Sequence, residues 1–455
     1  MDSIGRDLAS EYQHVDSSSA LGYPLVPILQ NESYLDWPLL PELFMVSFPG
    51  VKTSRDDVLV DIDRDRLVSR METYFDPGHS NAEMELLIPG VMDATKRFNA
   101  DAVRSQLVKR GFLPDNIIRY AYRPFDVRWL YWEPMTKLLD EKREEYLPHV
   151  SAENVWLEAR QRLPQDLFDR GMVSVSLGDQ IGNGMSSWFP LIARAHKGAS
   201  PFRDNLSSLA KGYLQDLKQE QHVLFFHALA TMHSSIYRTE NGGALRQDWP
   251  RIPLPTDGEK LATSAELGRH LAILLDIEKD APGISSGTIR PELRTIAVPS
   301  HVGGGNIDPD SADLAVTAGW GRGGNGKPVM PGRGRVVERD VRAEELNALG
   351  ALTIDVHLNA EVYWQNVPKR VWDYSLGGYQ VLKKWLSYRE DSVLGRRLHV
   401  DEVRTFTQIA RRVAAILMME EALDASYLAC SAGTWDWKAA VDAANPQRSL
   451  FPGLI

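Results

Sequence analysis

The sequence predicts an α+β fold: a mixed sheet flanked by helices, with a helical C-terminal end. Three observations carry this. Residues 116–132 set β-branched and aromatic side chains on either side of Arg123-Pro124-Phe125, the pattern of strand, turn and strand. Residues 219–238 place Val223, Phe226, Leu229, Ala230 and Ile236 at helical spacing, and residues 261–278 form a second such stretch. Residues 404–429 do the same near the end of the chain.

The elements follow in order. Pro24, Pro27, Pro38 and Pro41 argue against a long helix in the first segment. Residues 58–62 read as a short strand, and 66–75 and 99–110 as helices. Pro124 lacks a ladder donor, which demotes 116–132 as one continuous central strand. Residues 153–162 read as helix. Residues 172–177 alternate with period two, predicting one half-buried strand. Asn241-Gly242-Gly243 is the stop signal for the helix over 219–238. Residues 282–295 read as a loop. The stretch 303–334 is the most glycine-biased, with Gly303-Gly304-Gly305 and Gly319-Trp320-Gly321-Arg322-Gly323-Gly324. Residues 352–358 read as strand, and the chain beyond Trp437 as a loosely ordered tail. No fixed-period repeat is evident.

The chain of 455 residues is long enough for roughly three domain-sized units. With 43% hydrophobic and 25% charged residues, it excludes disordered, collagen-like and coiled-coil classes. Cys430 is the only cysteine, so no internal disulfide or multi-cysteine zinc site forms. That fits a reducing cytoplasm. No run approaches the roughly 20 apolar residues that span a bilayer. Asp2, Arg6 and Asp7 at the start leave no apolar stretch for a signal peptide. The net charge is −10, from 51 basic and 61 acidic residues. Residues 1–65 hold four basic and twelve acidic residues, so the remainder is at only −2. A near-neutral body can still present a basic face.

No G-x-x-x-x-G-K-[ST] phosphate loop and no strand–G-x-G-x-x-G–helix fingerprint is present. The adenine-gripping [ND]-P-P-[YF] motif and the zinc motif H-E-x-x-H are also missing. His222, His227 and His233 are spaced so that they fall on different faces of a helix, which disfavours a metal site. Asp61-x-Asp63-x-Asp65 lacks the glycine and terminal glutamate of a calcium loop and reads as a solvated acidic face.

Four ordered blocks carry a specific resemblance. They are Gly50-Val51-Lys52-Thr53-Ser54-Arg55-Asp56, Tyr122-Arg123-Pro124-Phe125-Asp126-Val127-Arg128-Trp129, the pair 229–238 and 245–255, and the run 371–389 with Trp372-Asp373-Tyr374-Ser375-Leu376-Gly377-Gly378-Tyr379. Together they resemble the C-terminal specificity region of type ISP restriction–modification enzymes, over about residues 37–429. In that family this region follows a nuclease, a helicase and an adenine methyltransferase, whose motifs this sequence lacks. The resemblance therefore implies a recognition module that is not an enzyme on its own. It implies no cofactor in this chain: S-adenosylmethionine, ATP and magnesium would belong to a partner or a missing domain. The implied organisation is an acidic connector or docking segment (1–65), a target-recognition domain (66–345) with a glycine-rich loop (303–334), a basic-aromatic and helical subdomain (346–437) and a tail (438–455).

Read residue by residue, the candidate DNA contacts fall in three places. Arg123 and Arg128 flank Asp126 around the Pro124 turn. Each is a phosphate or guanine ligand, or part of an ion pair that stiffens the turn, and the aromatic neighbours favour the ion pair. Residues 319–342 hold six basic against two acidic residues, with Arg322, Lys327, Arg333 and Arg335 as candidates. Arginine forks reach base edges, whereas a glycine-rich stretch is equally a solvated loop. Residues 369–412 hold ten basic against five acidic residues. Lys383, Lys384 and Arg389 on a short helix, with Arg396 and Arg397, are assigned to phosphate positioning. Trp385 and Leu386 belong to the core, and Arg238, Arg246 and Arg251 are further candidate phosphate contacts.

The expected function is recognition of a specific double-stranded DNA sequence, directing a separate or truncated-away methyltransferase, helicase or nuclease, with no membrane partner and no catalytic residue in this chain. Two other classes stand beside it. One is a standalone enzyme with an unrecognised site, whose titratable groups would be Asp126, His227 and His233. The other is a structural subunit that binds protein alone.

Overall fold

The computed structural model describes residues 30–162, 170–180, 186–194, 201–324, 327–340 and 349–444. Three four-stranded sheets and a set of packed helices make up a mixed α+β architecture. The expected α+β class with a helical C-terminal end is what the chain adopts. Among the described residues no helix is long and apolar enough to cross a membrane.

The strand–turn–strand at 116–132 is the centre of one sheet. Ile117–Arg123 and Asp126–Tyr131 pair antiparallel. Val60–Asp61 adds to the second strand, and Leu177–Gly178 adds parallel to the first. The Pro124–Phe125 turn requires Phe125 at φ +58°, in the left-handed region. A second sheet orders Phe48–Pro49, Ser186–Pro190, Trp156–Arg160 and Met172–Ser174. The third orders Val298–His301, Val362–Pro368, Leu352–His357 and Val336–Asp340, all antiparallel.

Several expectations are corrected here. Trp156–Arg160 is a strand, not a helix, and every one of its five residues is buried between two neighbouring strands. Leu157, Glu158, Ala159 and Arg160 favour helix locally, and sheet pairing overrides them. The stretch 172–177 is divided: Met172–Ser174 and Leu177–Gly178 enter different sheets. The helix over 219–238 is two, Val223–His233 and Ser235–Leu245. Ser234 breaks it because its hydroxyl caps the Tyr237 N–H, while Asp424 accepts from the Ser234 and Ser235 hydroxyls and the Ile236 N–H.

Asn241-Gly242-Gly243 lies inside the second of these helices instead of stopping it. The buried Asn241 amide donates to Tyr237 O and accepts from the Asn31 N–H. The closing helix is likewise two, Val400–Met418 and Glu420–Ser431, and Trp437–Ala444 is a further helix where a loose tail was expected.

One apolar core runs from Leu40 to Trp437 and crosses positions 65 and 345. A smaller aromatic cluster seats Tyr34 and Trp37 on Tyr237 and Tyr427. Arg251, one of the candidate phosphate contacts, donates to the carbonyls of Leu35 and Trp37 and so ties that segment down.

Candidate nucleic-acid interface

The glycine-rich stretch is a built element. Gly321–Gly324 and Lys327–Pro331 pair as an antiparallel hairpin, with Arg322 opposite Met330. Its base is fixed by Trp320, which is fully buried and donates its indole N–H to His357 O at 2.7 Å. The Glu390 carboxylate accepts from the Gly319 and Trp320 N–H groups. Gly334 has φ +66°, and a Cβ there would lie 2.0 Å from the Trp320 ring. A Cβ on Gly321 would lie 1.9 Å from Ser387 O. Gly321 and Gly334 allow protein to pack on protein, whereas Gly303, Gly304, Gly305 and Gly319 have open space around them.

Residues 319–324 have G-x-G-x-x-G spacing, and 321–328 depart from the phosphate-loop pattern only at Pro328. Both motifs need a helix after the glycines. Here the chain turns into a second strand.

Arg322, Arg333 and Arg335 are exposed and carry no carboxylate partner among the described residues. Arg322 and Met330, cross-strand partners, are both exposed and so share one face of the hairpin. The Lys327 side chain and Arg342 lie outside the described residues.

The helix Val381–Ser387 lies under this hairpin. Trp385 and Leu386 are core residues, as expected. Lys383 and Lys384 are half-buried. Lys384 Nζ sits 3.5 Å from Val329 O and 4.6 Å from the centre of the Tyr388 ring. Two basic stretches that are separate in sequence thus meet, Lys384 beneath the hairpin that carries Arg322.

Arg128 and Arg389 are elsewhere in effect, because both are buried on Asp126. Arg128 donates twice to Asp126 Oδ2, at 3.0 and 2.6 Å, and Arg389 donates to Oδ1 at 3.0 Å. Arg128 lies between the Tyr122 and Tyr388 rings, and Arg389 stacks 3.7 Å above Trp385. Burial alone would raise the Asp126 carboxyl, but Arg128 and Arg389 outweigh it and hold it well below the usual carboxylate range. Burial likewise raises the Tyr388 hydroxyl, and Arg123, Arg128 and Lys384 pull it below its ordinary value.

Arg123 is paired with Asp179 at 3.0 Å and lies 3.9 Å from Asp56. Arg396 binds Asp63 and Glu402, tying residues far apart in sequence, and Arg397 reaches Ser311 O at 3.1 Å. Among the candidate DNA contacts, then, Arg128 and Arg389 face inward, Arg123 and Arg396 are engaged with carboxylates, and Arg322, Arg333 and Arg335 face out.

The titratable groups of the alternative enzyme reading are also internal. His227 Nδ1 pairs with the Ser264 hydroxyl at 2.8 Å and Nε2 donates to Pro253 O at 2.7 Å. His233 Nε2 donates to Gly171 O. Burial lowers them to about 4 and about 3. Gly283-Ile284-Ser285-Ser286-Gly287 spells G-x-S-x-G. Its Ser285 hydroxyl accepts from Ala281 N–H and from Arg412, in a loop without the strand-to-helix elbow that exposes a nucleophile. Sequence reasoning passed over Lys52, Arg55, Lys96, Arg97 and Lys137, which are dispersed along the chain yet line one cleft.

The family profile of the Type ISP C-terminal specificity domain matches residues 42–418. The chain belongs to this family. Among solved structures, the specificity domain is similar to a nuclease-deletion mutant of the Type ISP restriction-modification enzyme LlaGI in complex with a DNA substrate mimic (TM-score 0.53, 18% identity, 87% of this chain). It is also similar to the DrdV–DNA complex (0.56, 17%, 84%) and to the ATP-dependent Type ISP enzyme LlaBIII bound to DNA (0.58, 15%, 92%). The domain spans 34%, 36% and 26% of those chains, respectively. At these identities the likeness establishes a shared fold. No curated protein matches the chain.

Proposed function

We propose that this specificity domain reads a defined sequence in double-stranded DNA and directs the adenine methyltransferase, helicase and nuclease of a restriction–modification system, in the cytoplasm and in phage defence. Those activities, with S-adenosylmethionine, ATP and magnesium, belong to a partner subunit or to domains outside this chain. The observation that carries the reading is the family match over residues 42–418. The DNA-bound states of the LlaGI, DrdV and LlaBIII structures support it.

The hairpin at 321–331 suits such a reader. The major groove, about 12 Å wide, admits a two-stranded β-ribbon. Arg322 supplies a planar fork for guanine O6 and N7, and Met330 beside it can meet a thymine methyl. Arg333 and Arg335 follow on the same exposed run, and Lys383 supplies charge for the backbone.

Selection of the full chain on randomised duplexes at several salt concentrations tests this. The wild type enriches one sequence. Arg322→Ala and Arg335→Ala flatten that preference, since a bidentate guanine contact is worth roughly 1–3 kcal/mol of discrimination. Lys383→Ala with Lys384→Ala weakens binding to all sequences alike and shallows the log–log salt dependence by about one unit per contact. Failure of the wild type to enrich any sequence refutes the function. An unchanged preference in both arginine variants removes the hairpin from the interface.

A further inference from the structure

Gly50-Val51-Lys52-Thr53-Ser54-Arg55-Asp56 lies apart from the hairpin and touches the Asp126 network only through Asp56, which accepts from the Tyr122 hydroxyl at 2.8 Å. Its backbone is fixed on two sides. Lys52 exchanges backbone hydrogen bonds with Glu141, and the Val51 N–H donates to Gly178 O. Ser54 then turns at φ +57°, a conformation costly for a residue with a Cβ, and its hydroxyl donates to Asp140 at 3.0 Å. The turn sends Arg55 inward.

Arg55 is 9% exposed and has no carboxylate within ion-pair distance among the described residues. Its guanidinium lies 3.5 Å over the Phe98 ring and donates once, to Leu138 O at 3.1 Å. Its Nε has no hydrogen-bond partner. Burial holds it below its ordinary value. A buried cation left this way is expensive unless something completes it.

Asp140 and Asp93 act on Arg55 from beyond ion-pair distance, and the cleft it borders is lined with further positive charge. The tight turn closed by Thr95 and Phe98, which exchange backbone hydrogen bonds, carries exposed Lys96 and Arg97 at its tip. Together with Lys52 and Lys137 they line a cleft of about 420 Å³ that has Arg55 in its wall. The one carboxylate there, Asp140, is already taken by Lys52 at 2.8 Å and by Ser54. In a chain of net charge −10, five cations converge on a cleft with one neutralised anion.

We propose that this cleft binds a phosphate group, supplied by the DNA backbone, at a site separate from the hairpin. Lys96, Arg97 and Lys137 close around the phosphate, and Arg55 in the cleft wall adds its charge. The site rests on the DNA-recognition reading for the source of the phosphate, but not for its chemistry. A free phosphate or a mononucleotide presents the same group.

The test uses the full chain and the triple variant Lys96→Ala, Arg97→Ala, Lys137→Ala, whose three side chains are exposed, so that the fold is retained and checked by an unchanged melting temperature. One arm measures binding to a randomised duplex across salt concentrations. The expected result is a log–log slope shallower by about two to three units in the variant, at roughly one per phosphate contact, with sequence preference unchanged. Equal slopes, with the wild type still binding duplex, overturn the DNA-backbone assignment and leave DNA recognition by the hairpin standing.

The second arm titrates inorganic phosphate and follows the melting temperature. A rise in the wild type that is lost in the variant supports the phosphate site, even where duplex binding fails altogether and with it the DNA-recognition reading. No phosphate response in either protein, together with equal salt slopes, ends the proposal.

Discussion

Asp126→Asn isolates the buried charge network, because it keeps the side chain's shape and removes its charge. In the wild type this carboxylate accepts two hydrogen bonds from Arg128 and one from Arg389. All three residues are buried. The variant leaves the two guanidiniums close together, Arg128 without a carboxylate and Arg389 with only Glu402, 3.9 Å away. Breaking a buried pair in this way costs about 3–5 kcal/mol. Unfolding entropy is about 2.1 cal/mol/K per residue, so the 455-residue chain melting as one unit has about 1 kcal/mol per degree. The melting temperature should therefore fall by about 3–5 °C in calorimetry, and more if a smaller unit melts alone.

The pH dependence gives a second readout. The carboxyl is depressed in the folded protein, so its stabilisation is present above its unfolded value of about 3.9 and is lost as the pH falls below it. The difference between wild type and variant should narrow below about pH 4. Duplex binding well below the melting temperature should be the same in both proteins. An unchanged melting temperature in Asp126→Asn would refute the reasoning and return Arg128 and Arg389 to the set of available DNA ligands.

Two further outcomes are expected. Trp385→Ala removes a ring that is 2% exposed and packed against Arg389 and Phe406, and should cost about 3–5 kcal/mol; an unchanged melting temperature would place Trp385 at a ligand surface instead. His227 and His233 are buried neutral, with folded values of about 4 and about 3 against an ordinary value near 6.5. Their stabilisation is present above about pH 6.5 and is lost as the pH falls toward 4, so thermal melts between pH 7 and pH 4.5 should show a steady decline that His227→Gln reduces; a flat profile in the wild type would refute it.

Local pattern and tertiary context divided the work in this protein along a physical line. Features that depend on a few neighbouring residues were legible in the chain: the strand–turn–strand at Ile117–Arg123 and Asp126–Tyr131, the helix Arg64–Phe75, and the helix Ala100–Arg110 capped by Asn99. So were the core position of Trp385 and, through four ordered blocks, the specificity-domain family. Features that depend on residues far apart were not. Trp156–Arg160 has helix-favouring composition and became a strand because neighbouring strands supplied its hydrogen bonds. Arg389 looked like one of a row of surface cations, and its counter-ion Asp126 lies 263 positions away. Glycines that suggested a loop open to phosphate are held against Trp320 and Ser387. Lys52, Arg55, Lys96 and Lys137 share one cleft only because the chain folds three separate segments together. Backbone preference acts over a turn of chain, whereas burial and charge pairing act through space, and only the fold sets those distances.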